Sequence, residues 1–253
     1  MTGVDASWRV RHRAVTGSTN KDALGGMPGD VFTADLQTAG RGRLDHRWLS
    51  PPGENLMMSA VIDMTGAPPE EVATLPLVVG LAVSKAVESL ISRRCQKGGG
   101  AAACAVRIKW PNDVLIDGRK VSGILCERNG DRVIAGVGVN VNQMVFDPEI
   151  ADRATSLRVV CGPMPIGDVR DAVLERLADA LAQWRAGGFR AVWPEIAARD
   201  FLKGTPIAVR RTDDDASPVA GLCGGIRRDG ALEVGGEPVF AGEAHICIRQ
   251  ECS

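Results

Sequence analysis

The chain has 253 residues, 45% of them apolar and 24% charged, a composition ordinary for a globular protein with a sizeable core. A net charge of −1 and a pI near 6.3 give no general attraction to nucleic acid or to an anionic membrane. The absence of Tyr and an aromatic content of only 4% exclude a stacking platform for single-stranded nucleic acid. Seven cysteines with no CxxC and no cysteine–histidine cluster predict free thiols and a cytoplasmic location rather than structural zinc. The charged N-terminus lacks the apolar run of a signal peptide, and no uninterrupted run of eighteen apolar residues predicts a membrane span.

Alternation predicts a first strand over Trp8 to Val15, and Gly17-Ser18-Thr19-Asn20 then opens a short helix that Gly25 and Gly26 stop. A second strand runs from Val31 to Leu36, and a long polar loop, Gln37 to Trp48, follows. A third strand spans Asn55 to Ile62. Apolar residues at three- and four-residue spacing predict a helix over Glu70 to Arg94, either starting near Pro76 or broken there into two segments. Residues 95–104, CQKGGGAAAC, read as a flexible surface loop.

The stretch Ile108-Lys109-Trp110-Pro111-Asn112-Asp113 ends one strand and begins a hairpin, with strands Asp113 to Asp117 and Lys120 to Glu127 around Gly118. Six lysines stand among the thirty basic residues, and two of them, Lys109 and Lys120, flank this hairpin. In a chain that otherwise uses arginine, this placement suggests a need for a compact ammonium. The next strand, Arg132 to Asn142, contains Gly136 and Gly138, which weaken a strand unless something approaches its backbone closely. Residues 143–157 read as irregular, helices are predicted over Asp168 to Arg185 and Phe189 to Phe201, and five short strands with glycine turns follow Gly204. The predicted layout is residues 1–203 as a catalytic domain and 204–253 as a small β domain.

Gly40-Arg41-Gly42-Arg43 lies between strands, so it is neither a dinucleotide fingerprint nor a Walker loop. Arginines between glycines suit a phosphate ester. The three histidines, 12, 46 and 245, have no neighbouring nucleophile, which favours charge stabilisation and positioning over a covalent enzyme intermediate.

The ordered set GSTN (17–20), QTAGRGR…W (37–48), RIKWPND (107–113), RKVSGIL (119–125), GVGVNVN (136–142) and DRATSL (152–157) resembles the biotin protein ligases along essentially the whole chain. The resemblance implies an α+β fold, a mixed sheet with helices on one side as in class II synthetases, and a C-terminal SH3-like β-barrel. It implies two steps: biotin's carboxylate attacks the α-phosphate of MgATP to give biotinyl-5'-AMP and pyrophosphate, and a lysine of a biotin carboxyl carrier domain then takes the biotinyl group. By position, Ser18, Thr19, Asn20, Gln37, Gly40, Arg41, Lys109, Gly123 and Leu125 resemble the biotin site. Arg43, His46, Arg47, Trp48, Asn112, Asn140 and Asn142 resemble the ATP and adenylate site, with Lys109 and Arg43 catalytic. Mg2+ is expected with ATP and no metal held by protein ligands alone. Asp45 and His46 stand where the family carries glycine and arginine, and Arg47 is placed to substitute. The short stretch before the first strand implies a form without the DNA-binding winged helix, acting as a monomer or homodimer away from membranes. A lipoate or octanoate ligase and a non-catalytic biotin or adenylate binder are the competing readings.

Overall fold

Strand alternation sorts the chain onto two faces of one sheet. The computed structural model describes residues 8–44, 46–98, 104–210 and 218–246. The expectations for Asp45, for residues 99–103 of the predicted 95–104 loop, for Cys247 and Cys252, and for the strand end beyond Ile246 lie outside these residues; residues 95–98 are not loop but continue the long helix, which runs to Gly98.

The strands are β1 (Arg9–Thr16), β2 (Asp30–Gln37), β3 (Leu56–Asp63), β4 (Val106–Lys109), β5 (Asp113–Ile116), β6 (Arg119–Asn129) and β7 (Arg132–Val139), in the order β1-β2-β3-β7-β6-β5-β4. The first pair is parallel and the others antiparallel, which makes the sheet mixed. On β7, Val133, Ala135, Val137 and Val139 enter the core, and Gly136 and Gly138 occupy the opposite face.

The predicted long helix forms as α2 (Pro69–Ala73) and α3 (Leu75–Gly98). Pro76 lies in the first turn of α3, where a missing N–H breaks no helical bond. The stretch Leu75–Gln96 is long and apolar enough to span a bilayer, but most of it is buried here against the sheet and against α5 (Ile166–Gly187). It is a core helix. Gly188, with φ of +66°, ends α5, and α6 (Phe189–Ala198) packs on α3 and α5. The short α1 (Thr19–Asp22) sits on the other face, against β2, β3 and β7.

Two segments depart from expectation. The tail of residues 143–157 leads into a further helix, α4 (Leu157–Cys161), which Ser156 caps by accepting a hydrogen bond from Val159 N. Residues 199–201 do not prolong α6 but line up along β4: Ile108 N donates to Arg199 O at 2.8 Å and Phe201 N to Ile108 O at 2.9 Å.

The C-terminal barrel is not found. The strands β8 (Pro206–Arg210), β9 (Val219–Ile226), β10 (Leu232–Val234), β11 (Glu237–Val239) and β12 (Glu243–Ile246) form an open sheet ordered β11-β10-β9-β8-β12. Closure requires the two outer strands to meet. Here the three-residue β11 pairs with β10 and β12 pairs with β8, so the two edges stay apart among the described residues. Ile207, Val209, Ile226, Leu232 and Val234 share one apolar cluster with Val192 and Ile196, and the core runs unbroken past Lys203.

Asp200 is the polar rivet of that junction, with Oδ1 accepting from Leu202 N at 2.9 Å and Oδ2 from Ile226 N at 2.8 Å. Asp200→Ala is expected to strand these donors, at roughly 1 to 3 kcal/mol for each one left buried. Urea denaturation checks this: a midpoint equal to that of the parent refutes the rivet.

Candidate functional site

The open face of the sheet carries a slot with a neutral end and a cationic end. At the neutral end α1 presents Thr19 and Asn20, both buried. Thr19 N donates to Gln37 Oε1 at 2.7 Å, with Thr19 Oγ1 at 3.1 Å from the same oxygen. This leaves the Gln37 amide nitrogen as the donor facing outward beside Gly40. From β3, Ser59 Oγ donates to Asn20 Oδ1 at 2.6 Å and lies 2.7 Å from Thr19 Oγ1. Asn20 Nδ2 donates to Glu127 Oε2 at 2.7 Å, and Arg41 Nη1 donates to Glu127 Oε1 at 2.8 Å. Ser18 precedes α1 and is buried, yet its hydroxyl does not turn back to cap the helix.

The polar loop of residues 40–48 is a small hairpin. Gly42 N donates to His46 O at 2.7 Å and Trp48 N to Gly40 O at 3.1 Å, Arg41 bridges Arg47, and Leu44 makes the turn with a φ of +49°. The hairpin carries Arg43 to the cationic end, where its Nη1 donates to Gly242 O at 3.3 Å. Burial pushes the Arg43 guanidinium down from its usual range, and the charges of Asp113 and Glu243 act against that.

Lys109 closes β4 opposite Asp113 of β5. Burial holds its ammonium below the ordinary lysine range; the charges of Lys120 and Arg153 act in the same direction, and Asp113 and Glu243 oppose them. Lys120 Nζ is 2.7 Å from Asp113 Oδ1, in an ion pair not aligned as a hydrogen bond. The lysine stem crosses Gly123, and its ammonium lies 6.0 Å from the centre of the Trp48 ring.

The floor between the two ends is bare backbone. A methyl built on Gly136 would collide with Asn20 Oδ1, and one on Gly138 would lie 2.5 Å from the Trp48 indole. One on Gly123 would lie 3.0 Å from the same ring, and one on Gly40 would strike Trp48 O. The close approach expected at the glycine pair is thus made by Asn20 and Trp48. The Trp48 N–H is buried and has no hydrogen-bond partner among the described residues. A cavity of about 500 Å3 lies elsewhere, between α6 and the C-terminal sheet, beside Arg190, Trp193 and Arg228. The slot itself is filled by Trp48.

The three asparagines assigned to the ATP side serve the backbone. Asn112 Nδ2 donates to Ile124 O, Asn140 Nδ2 to Thr155 O, and Asn142 exchanges two hydrogen bonds with the main chain of Met164. Arg47 is exposed, with Nη2 at 3.4 Å from Thr38 O, and His46 Nε2 lies 3.8 Å from Glu243 Oε2. Leu125 lies on β6 opposite Gly136, two residues from Gly123 and on the same face.

The structure also brings Ser59, Asp113, Lys120, Glu127 and Glu243 to the slot, residues that the sequence reading did not assign to it. Glu127 had a readable signal, since it continues the period-two series Gly123, Leu125. Ser59 had one also, as a lone hydroxyl in an apolar strand. Glu243 had none.

The comparisons with known proteins agree with this geometry. The Biotin/lipoate A/B protein ligase family matches residues 18–143. A biotin--[acetyl-CoA-carboxylase] ligase of Mycobacterium tuberculosis is 32% identical over 94% of this chain and 89% of its own length. One of the same description from Paracoccus denitrificans is 34% identical over 87% and 91%. A solved biotin protein ligase from Aquifex aeolicus, in complex with biotin and ATP, superposes with a TM-score of 0.80, at 27% identity, over 94% of this chain and 98% of that one. With two relatives matched nearly end to end, the chain belongs to the biotin protein ligases, enzymes that use ATP to attach biotin to protein.

Proposed function

We propose that the neutral end of the slot takes the ring system of biotin and the cationic end takes its carboxylate together with the α-phosphate of ATP. The observation that carries this reading is the convergence of Lys109 and Arg43, both partly buried, at one end of a glycine-floored slot whose other end is lined by Thr19, Asn20, Gln37 and Ser59. Biotin's ureido carbonyl is an acceptor, and the outward-facing Gln37 amide nitrogen supplies a donor to it. The bare backbone of Gly123 and Gly138, against which the Trp48 indole lies here, makes room for the ligand's rings once that side chain lifts away.

In the first step a carboxylate oxygen attacks the α-phosphorus, the new acyl–phosphate bond forms, and the bond to pyrophosphate breaks. Two anions must meet, and fixed cations lower their repulsion most where water is scarce. Lys109 supplies a compact charge between them, Arg43 spans the phosphate oxygens, and Asp113 holds Lys120 alongside. In the second step the amine of an acceptor lysine attacks the acyl carbon and AMP leaves. The acceptor we assign is the biotin carboxyl carrier domain of a carboxylase.

Magnesium arrives as MgATP. The open C-terminal sheet, residues 204–253 in our division, serves the phosphate end through Gly242 and Glu243. A lipoate or octanoate ligase would set an alkyl or dithiolane group against the Gln37 amide nitrogen and leave that donor unmatched. A non-catalytic binder gives no reason to keep a lysine desolvated beside another cation.

Biotin-dependent exchange between ATP and pyrophosphate tests the reading. Biotin should support exchange, and lipoate and octanoate should not; exchange driven by lipoate overturns the assignment. Lys109→Ala should cost roughly 3 to 4 kcal/mol in the adenylation barrier, and Lys109→Arg should also be poor, because a fork does not fit a point-charge site. Wild-type exchange by the Ala variant refutes the role.

The depressed Lys109 value sets a pH signature. Activity should fall as pH rises through it, with an alkaline limb below the ordinary lysine value of about 10.4. Between those two values the unfolded chain binds more protons than the folded one. The lysine's contribution to stability is therefore full above about 10.4 and is lost as pH falls through the native value. Activity and stability should move in opposite directions across this window, and Lys109→Met should abolish the stability slope. Parallel profiles of exchange rate and melting midpoint count against it.

A further inference from the structure

We propose that Glu127 is a positioning and specificity residue for the ring end of the slot. By pairing Arg41 and fixing the amide of Asn20, it keeps that end free of net charge, so that a substrate is accepted with a neutral head there and its anion at Lys109. The inference rests on the reading of the slot as a biotin site.

One carboxylate does both tasks: Oε1 accepts from Arg41 Nη1 at 2.8 Å and Oε2 from Asn20 Nδ2 at 2.7 Å. An amide can present either its oxygen or its nitrogen, and the acceptors around it decide which. Asn20 Nδ2 donates to Glu127 Oε2 at 2.7 Å and, at the longer distance of 3.4 Å, to Leu125 O, so the carboxylate is the closer, charged partner that holds Oδ1 toward Ser59, which donates to it at 2.6 Å. The Ser59 hydroxyl also lies 2.7 Å from Thr19 Oγ1, so the choice passes along the cluster to Thr19 and Gln37. Removing the carboxylate leaves the buried amide held at Nδ2 only by the long contact to Leu125 O and leaves Arg41 as an uncompensated cation. The slot would then be positive at both ends.

An exposed salt bridge by itself is worth little. The Glu127 side chain is 30% exposed and that of Arg41 49%, so the bridge alone would have a small effect on stability. Asn20, by contrast, is 6% exposed and faces the slot floor at Gly136. A hydrogen bond to a charged group at such a site corresponds to about a tenfold effect or more.

The test is steady-state pyrophosphate exchange by wild type, Glu127→Gln, Glu127→Asp and the double variant Glu127→Gln/Arg41→Gln, with thermal melting alongside. Glu127→Gln should raise KM for biotin about tenfold or more and leave KM for ATP within about twofold. Glu127→Asp should fall between. The double variant, with no stranded cation, should bind biotin better than Glu127→Gln alone. Equal biotin KM values for wild type and Glu127→Gln overturn the proposal, as does a matched rise in both KM values with a lowered melting midpoint. Calorimetric titration of biotin without ATP separates this result from failure of the ligase reading. If wild type shows no exchange but binds biotin, weaker binding by Glu127→Gln still supports the role and equal binding refutes it. A wild type that does not bind biotin overturns both.

Discussion

Everything in the site hangs on one strand that must be full on one face and empty on the other. β7 buries Ala135, Val137 and Val139 against the helices and turns Gly136 and Gly138 toward the slot. A glycine inside a strand costs about 0.5 to 1 kcal/mol relative to alanine. That cost is offset by the apolar face of the same strand, which sits in the centre of the sheet between β3 and β6. The empty face lets Asn20 and Trp48 come down onto backbone, and Gly123 extends it to the neighbouring strand. Side chains at these positions would close the slot while leaving the core untouched.

Charge is separated along this floor. The chain as a whole is nearly neutral, but Arg43, Lys109 and Lys120 gather at one end, with Asp113 and Glu243 close enough to hold them there. The partial desolvation of Lys109 makes it costly as structure, and it is this cost that the proposed role in adenylation accounts for. The ring end achieves neutrality differently, through hydroxyls, amides and a single closed ion pair.

The sequence was most legible where a signal is local. Alternation in RVIAGVGV placed β7, its two glycines announced a close approach, and Lys109 ends β4 partly buried, as the strand pattern implied. The Pro76 ambiguity resolved into two helices because both options were physically sound. Legibility fell short where one residue has two plausible uses. Asn112, Asn140 and Asn142 lie in motifs that border the slot, and their amides bind the carbonyls of Ile124, Thr155 and Met164, a use that no spacing rule reveals. It fell short again where the partner is distant. Short strands with glycine turns occur in open and closed sheets alike, so the C-terminal barrel could not be told from the open sheet that forms. Nor could Glu243 be joined to Lys109 without a fold.

The hydrogen bond from Arg43 to Gly242 spans 199 residues of sequence. A contact of that span closes a loop as long as most of the chain, and loop-closure entropy must be met before it forms. Local pairings such as β5 with β6 carry little of that cost, so the cationic end of the slot is complete only once the C-terminal sheet has packed onto the rest of the core. The order of folding, rather than any local stretch of sequence, decides when this end of the slot exists.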